Sequence, residues 1–217
     1  MIKKSNYTLI YILFILLYSN YSAAQFIGDW EARPTIYAKY KPNDKLSFEA
    51  KYEHRLFKNF SQYKKSVTGV EVEYKIKTNS QWYFKPTLDY RFEFDNNQTA
   101  HDLRYATSLG FDVSKKLNIE YTPILQHIIS EGQQPVYFFR NELELTYQFT
   151  KKFSLFIFTE NYQLIQQGFQ FNTQKYGLGA EYLINSKSAI ECKFDIKHLY
   201  TNKNTARLML GYIFILH

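Results

Sequence analysis

Five short polar turns recur along this chain at nearly constant spacing, and the segments between them alternate apolar and charged residues. The turns Pro42-Asn43-Asp44, Thr78-Asn79-Ser80, Ser114-Lys115-Lys116, Thr150-Lys151-Lys152 and Asn185-Ser186-Lys187 centre on residues 43, 79, 115, 151 and 186, successive distances of 36, 36, 36 and 35. Longer polar links lie between them at 58–64, 95–101, 131–136, 166–174 and 201–205. Each interval therefore holds two strands joined by a link. In one segment Leu46, Phe48, Ala50 and Tyr52 alternate with Ser47, Glu49, Lys51 and Glu53; in another Trp82, Phe84, Pro86, Leu88, Tyr90, Phe92 and Phe94 alternate with Lys85, Asp89, Arg91 and Glu93. Sustained period-two alternation is a strand signal and excludes a helical reading.

Short turns on one side and longer links on the other predict an all-β, up-and-down antiparallel transmembrane β-barrel of about 10–12 strands. The strands run to about 11–15 residues, against about 5–6 for an ordinary globular strand. Tyr and Trp gather near strand ends (Trp30, Tyr40, Trp82, Tyr147, Tyr212), where an interfacial girdle belongs. A soluble periplasmic, lipocalin-like binding barrel is the alternative that alternation alone leaves open. Parity poses a question: if the five short turns and the C-terminus share one rim, the first strand must start at the other.

The N-terminus reads as an address. Lys3 and Lys4 precede an apolar run over residues 8–18, and Ser22-Ala23-Ala24 is a small-residue cleavage site. Eleven apolar residues are too few for a spanning helix, which needs about 20. The expectation is a signal peptide over residues 1–24, a barrel over 25–217, and residence in the outer membrane. The expected surroundings are outer-membrane lipid and lipopolysaccharide, with insertion by the barrel-assembly machinery.

Composition fits this reading. Aromatics make up 19% of the chain, with 20 Tyr and 19 Phe, yet mean hydropathy is −0.41. Alternation reconciles the two, one strand face being apolar and the other charged. The formal charge of +7, or +5 without Lys3 and Lys4, is spread along the chain and forms no nucleic-acid arm. Cys192 is the only cysteine, so no intramolecular disulfide and no cysteine metal cluster is expected.

The runs DYRFEF…DLRYATSLGF, RNELELTYQFTKKFSLFIFTENY and YGLGAEYLINSKSAIECKFDIKHLY…RLMLGYIF resemble the DUF2490 family of Bacteroidetes-type outer-membrane β-barrel proteins. The resemblance covers nearly the whole chain after residue 24. It implies a barrel and brings no established activity, catalytic residue or cofactor. The alternating C-terminal Leu208, Leu210, Tyr212, Phe214 and Leu216 is similar to a barrel-assembly signal, departing from it in ending on His217.

Candidate chemistry lies on the charged face. Arg55, Arg91, Arg104, Arg140 and Arg207 project there among Glu53, Glu71, Glu93, Glu142, Glu144, Glu160, Glu181 and Asp195. Such a lining selects a small polar solute or neutralises and fills a narrow lumen; comparable numbers of both signs favour the second. His54, His127 and His198 fall on the apolar face near the longer links, as polar-tipped girdle residues. An enzyme acting on envelope lipids would need a Ser–His pair. His127 and Ser130 lie on opposite faces of one strand, and pairs meeting across strands stay open. No catalytic, cofactor or metal site is assigned. The expected function is a narrow channel, structural component or docking surface.

Overall fold

The computed structural model describes residues 27–79, 81–95, 98–200 and 204–216. The expected signal segment and its cleavage site lie outside the described residues. The described chain is strand almost throughout: β1 (Ile27–Tyr40), β2 (Leu46–Phe57), β3 (Gln62–Tyr74), β4 (Ile76–Lys77), β5 (Trp82–Phe94), β6 (Thr99–Asp112), β7 (Leu117–Ser130), β8 (Val136–Gln148), β9 (Phe153–Leu164), β10 (Gln170–Asn185), β11 (Ser188–Leu199) and β12 (Asn204–Leu216). Successive strands pair antiparallel in one sheet. The two-residue β4 continues β3 past Lys75, and both pair with β5, so the wall has eleven staves.

The sheet closes where β1 meets β12, in parallel, with Trp30 opposite Ala206 and Tyr40 opposite Leu216. This resolves the parity question. With eleven staves, the first and last strands run in the same direction and can join only as a parallel pair. The closing ladder leaves no open edge, the condition for a sheet to sit in lipid.

The five short turns share one device. One side chain in each turn accepts backbone N–H groups two or three residues on: Asn43 from Lys45 and Leu46 (2.9 and 2.8 Å), Asn79 from Gln81 and Trp82 (2.8 and 2.7 Å), Ser114 from Lys116 and Leu117 (3.2 and 3.1 Å), Thr150 from Lys152 and Phe153 (3.1 and 3.0 Å). Asn185 accepts from Lys187 at 2.7 Å. These side chains replace the ladder where it ends, which is why Asn, Ser and Thr recur there.

One expected link is shorter than its polar sequence suggests. β9 runs on to Leu164 and β10 begins at Gln170, leaving a single 3₁₀ turn, Ile165–Gln167, with Gly168 and Phe169. The polar residues there do not break the ladder: Glu160 and Lys175 pair inside, and outside Asn161 accepts from Asn141 and Gln174 donates to Thr159.

Burial is inside-out. Among the described residues seven apolar side chains are buried, against seventeen polar or charged ones, so the interior is ionic. Large apolar side chains such as Ile36, Val70, Leu88, Leu109, Leu143, Ile157 and Leu210 stand exposed on the outer face. An exposed apolar belt of this extent is what hydrocarbon solvates and water does not. Inside, aromatic rings lie flat over glycines on adjacent strands. A Cβ on Gly110 would meet the Tyr83 ring at 2.0 Å, and one on Gly177 the Phe158 ring at 2.3 Å. The rings thus lie against the wall.

Candidate functional site: an ionic belt in the lumen

The inward face of each strand carries charge at alternate positions, and closure turns those positions toward a common axis. Six arginines are present in the chain, at 33, 55, 91, 104, 140 and 207, and all six point inward in the half of the barrel nearer the long loops. Each is paired. Arg33 contacts Glu31 at 2.8 Å and Glu53 at 3.9 Å, and Arg55 joins Glu53 to Glu93, the latter at 3.4 Å. Arg91 donates to Asp89 at 2.7 Å, and Arg104 Nε donates to Asp102 at 3.0 Å. Gln126 then bridges two strands, donating to Asp102 at 2.8 Å and accepting from Arg140 at 3.1 Å. Arg140 Nε donates to Glu160 at 2.7 Å, which also receives Lys175 at 2.7 Å. Arg207 of β12 donates to Asp195 of β11 at 2.6 Å. Lys64 and Lys65 reach Glu31 and Glu93.

The result is a belt of charge-assisted hydrogen bonds around the lumen. Every guanidinium has a carboxylate, and the fork geometry of Arg suits such shared pairing. Tyr162 supports one side, its ring lying 4.5 Å from the Arg140 guanidinium and 4.2 Å from the Lys175 ammonium. A cavity of about 750 Å³ runs past the belt, from Lys41, Glu49 and Ile215 near the short turns to Lys64, Asn172 and Leu199 near the loops.

The half nearer the short turns is different in sign. It holds no arginine, and Lys39–Glu49 at 3.7 Å and Glu73–Lys85–Glu120 at 3.5 and 2.9 Å are its ion pairs among the described residues. Glu71, Glu142, Glu144, Glu181 and Glu191 make no ion pair there, Glu144 accepting instead from Thr146 at 2.9 Å. Of the expected lining residues, Arg55, Arg91, Arg104, Arg140, Arg207, Glu53, Glu93, Glu160 and Asp195 meet in the belt. Glu71, Glu142, Glu144 and Glu181 face the lumen below it. The belt also takes in Arg33, Glu31, Asp89, Asp102, Gln126 and Lys175. The alternation of β1 and β5 marks Arg33 and Asp89; Gln126 needed the register.

His54, His127 and His198 face outward near the loops. His127 stacks on Tyr137 (ring centroids 4.2 Å apart), and His198 Nδ1 lies 2.7 Å from Asn204. His127 and Ser130 do lie on opposite faces. One Ser–His pair meets across strands: His54 Nδ1 lies 3.2 Å from Ser66 Oγ. Ser66 is only 2% exposed, and the Tyr52 and Tyr63 hydroxyls crowd it at 3.2 and 3.3 Å. A hydroxyl so covered has no room for an acyl group and serves as the centre of a polar knot.

A closed barrel with an apolar exterior and an ionic lumen defines a porin-like architecture. Solved structures that share the fold include a NanC porin (15% identity, TM-score 0.52, 81% of this chain and 90% of that one) and a KdgM porin in complex with disordered oligogalacturonate (11%, 0.52, 79% and 90%). No curated protein matches the sequence. The sequence profile of DUF2490, described as a protein of unknown function, matches residues 34–208, and the chain belongs to that family.

Proposed function

We propose that this protein is a narrow, non-catalytic channel of the bacterial outer membrane, admitting small polar solutes past the ionic belt. The observation that carries the reading is the cavity of about 750 Å³ past the belt, lined from Lys41 and Ile215 near the short turns to Lys64 and Leu199 near the loops, inside a lipid-compatible wall. Shared pairing across strands gives the belt a second task, holding neighbouring strands in register from inside. The likeness of fold to two porins supports a channel; the oligogalacturonate named for one of them belongs to that protein.

On this reading residues 1–24 direct export and are removed, and the assembly machinery inserts the barrel. The short turns face the periplasm, and the loops meet lipopolysaccharide. The test is conductance of the purified, refolded chain in planar bilayers, with heat-modifiable migration showing that the barrel is folded. Discrete steps are expected. A folded, inserted barrel without steps would refute the channel and leave a structural component of the envelope.

A further inference from the structure

Besides the Ser66 knot, the outward face carries, among the described residues, a polar patch on β8, β9 and β10 within its apolar belt. Asn141 is the sixth of thirteen residues in β8, and it pairs across the ladder with Asn161 of β9, which pairs in turn with Gln174 of β10. All three point outward, beside Thr159. Leu143, Ile157 and Leu178 flank the patch on the short-turn side, and Leu125, Phe139 and Phe169, with the outward Gln163 of β9, on the loop side. Elsewhere the mid-strand outer face carries Ile36, Ala50, Leu88 and Leu210. The patch thus lies toward the loop end of the belt, two residues or more inside the strand ends of β8, β9 and β10.

Its hydrogen bonds are half complete. Asn141 accepts from Tyr121 at 2.5 Å and donates to Asn161 at 3.2 Å, and Gln174 donates to Thr159 at 2.7 Å. Among the described residues the Asn161 amide nitrogen donates to nothing, and the Gln174 carbonyl oxygen accepts from nothing. In hydrocarbon neither water nor lipid supplies the missing partner, so both groups carry their full desolvation cost.

We infer that this patch is the interface of a homodimer in the membrane. An unused donor and an unused acceptor on neighbouring strands make the surface self-complementary. A two-fold axis through the patch sets Asn161 of each copy against Gln174 of the other, satisfying both twice. Polar side chains act this way between membrane-embedded elements, where the alternative is an unsatisfied group in lipid. The inference rests on the outward face being lipid-embedded, and its test keeps the two apart.

The full chain carrying Cys192→Ser and a fluorophore on Lys115→Cys is reconstituted into phospholipid vesicles at high dilution and washed with alkali. Loss from the vesicles would refute the membrane reading itself. For retained protein, single-molecule bleaching is expected to give mainly two steps. The Asn141→Leu, Asn161→Leu, Gln174→Leu variant, folded by heat-modifiable migration, is expected to lose dimer at least tenfold at the same protein-to-lipid ratio. If the triple variant fails to insert, Gln174→Leu alone removes the acceptor and is expected to shift the same equilibrium. Single-step bleaching of the parent, or a dimer fraction unchanged in the variant, would overturn the interface.

Discussion

Glu160 is 3% exposed and serves two cations at once, Arg140 and Lys175. Removing one member of a buried pair strands the other, which costs about 3–5 kcal/mol, whereas removing both can be nearly neutral. Glu160→Gln is therefore expected to destabilise the barrel by about 3 kcal/mol, read as a lowered urea midpoint in vesicles. Adding Arg140→Met and Lys175→Met should recover most of that loss. An unaltered midpoint in the single variant would mean that lumen water already solvates these charges. Individual lining residues were legible in the sequence, because alternation names the charged face. Their partners were not: Asp102 reaches Arg140 only through Gln126, a bridge fixed by the register of β6, β7 and β8.

At the scale of elements, turns and close ring contacts do the specifying. Asn79 accepts two backbone N–H groups, so Asn79→Ala should cost about 1–3 kcal/mol at about 0.5–1.5 per hydrogen bond, measured by equilibrium unfolding. Gly110→Ala forces a methyl group into the Tyr83 ring and should cost about 1–3 kcal/mol. Tyr83→Ala in the same chain should relieve that strain, and failure of this rescue would show that the ring does not lie on the wall. The turn positions could be read directly from spacing. The glycine–ring contacts could not, since Gly110 and Tyr83 meet only through a pairing 27 residues apart in sequence.

For the whole molecule, the parallel seam is the least expected feature and the most directly testable. Ala38 lies opposite Phe214 across it. In a Cys192→Ser background, Ala38→Cys with Phe214→Cys should cross-link in folded protein and not in urea. Absence of the cross-link from a folded barrel would mean that β1 closes elsewhere. Charge separation along the axis has its own consequence. The belt sets nine cations against seven shared carboxylates, while among the described residues nearer the short turns Glu71, Glu142, Glu144, Glu181 and Glu191 outnumber the lining Lys51 and Lys193 that make no ion pair. Reversal potentials in a salt gradient are accordingly expected to show a modest preference for cations, reduced by Glu181→Gln with Glu191→Gln. Preference for anions would mean that the belt, not the acidic half, governs passage.

Repeat spacing and alternation, properties of neighbours along the chain, were enough to specify an all-β barrel, its two unlike rims and the face each residue takes. They follow from the period of a strand and from the side chains that turns require, so they survive without knowledge of any distant contact. Closure was different. Whether eleven staves seal in parallel, which arginine finds which carboxylate, and where an outward amide lacks a partner depend on strand register around a full circle. Register is a long-range property, set by pairing among all the strands together, and only the tertiary structure decides it.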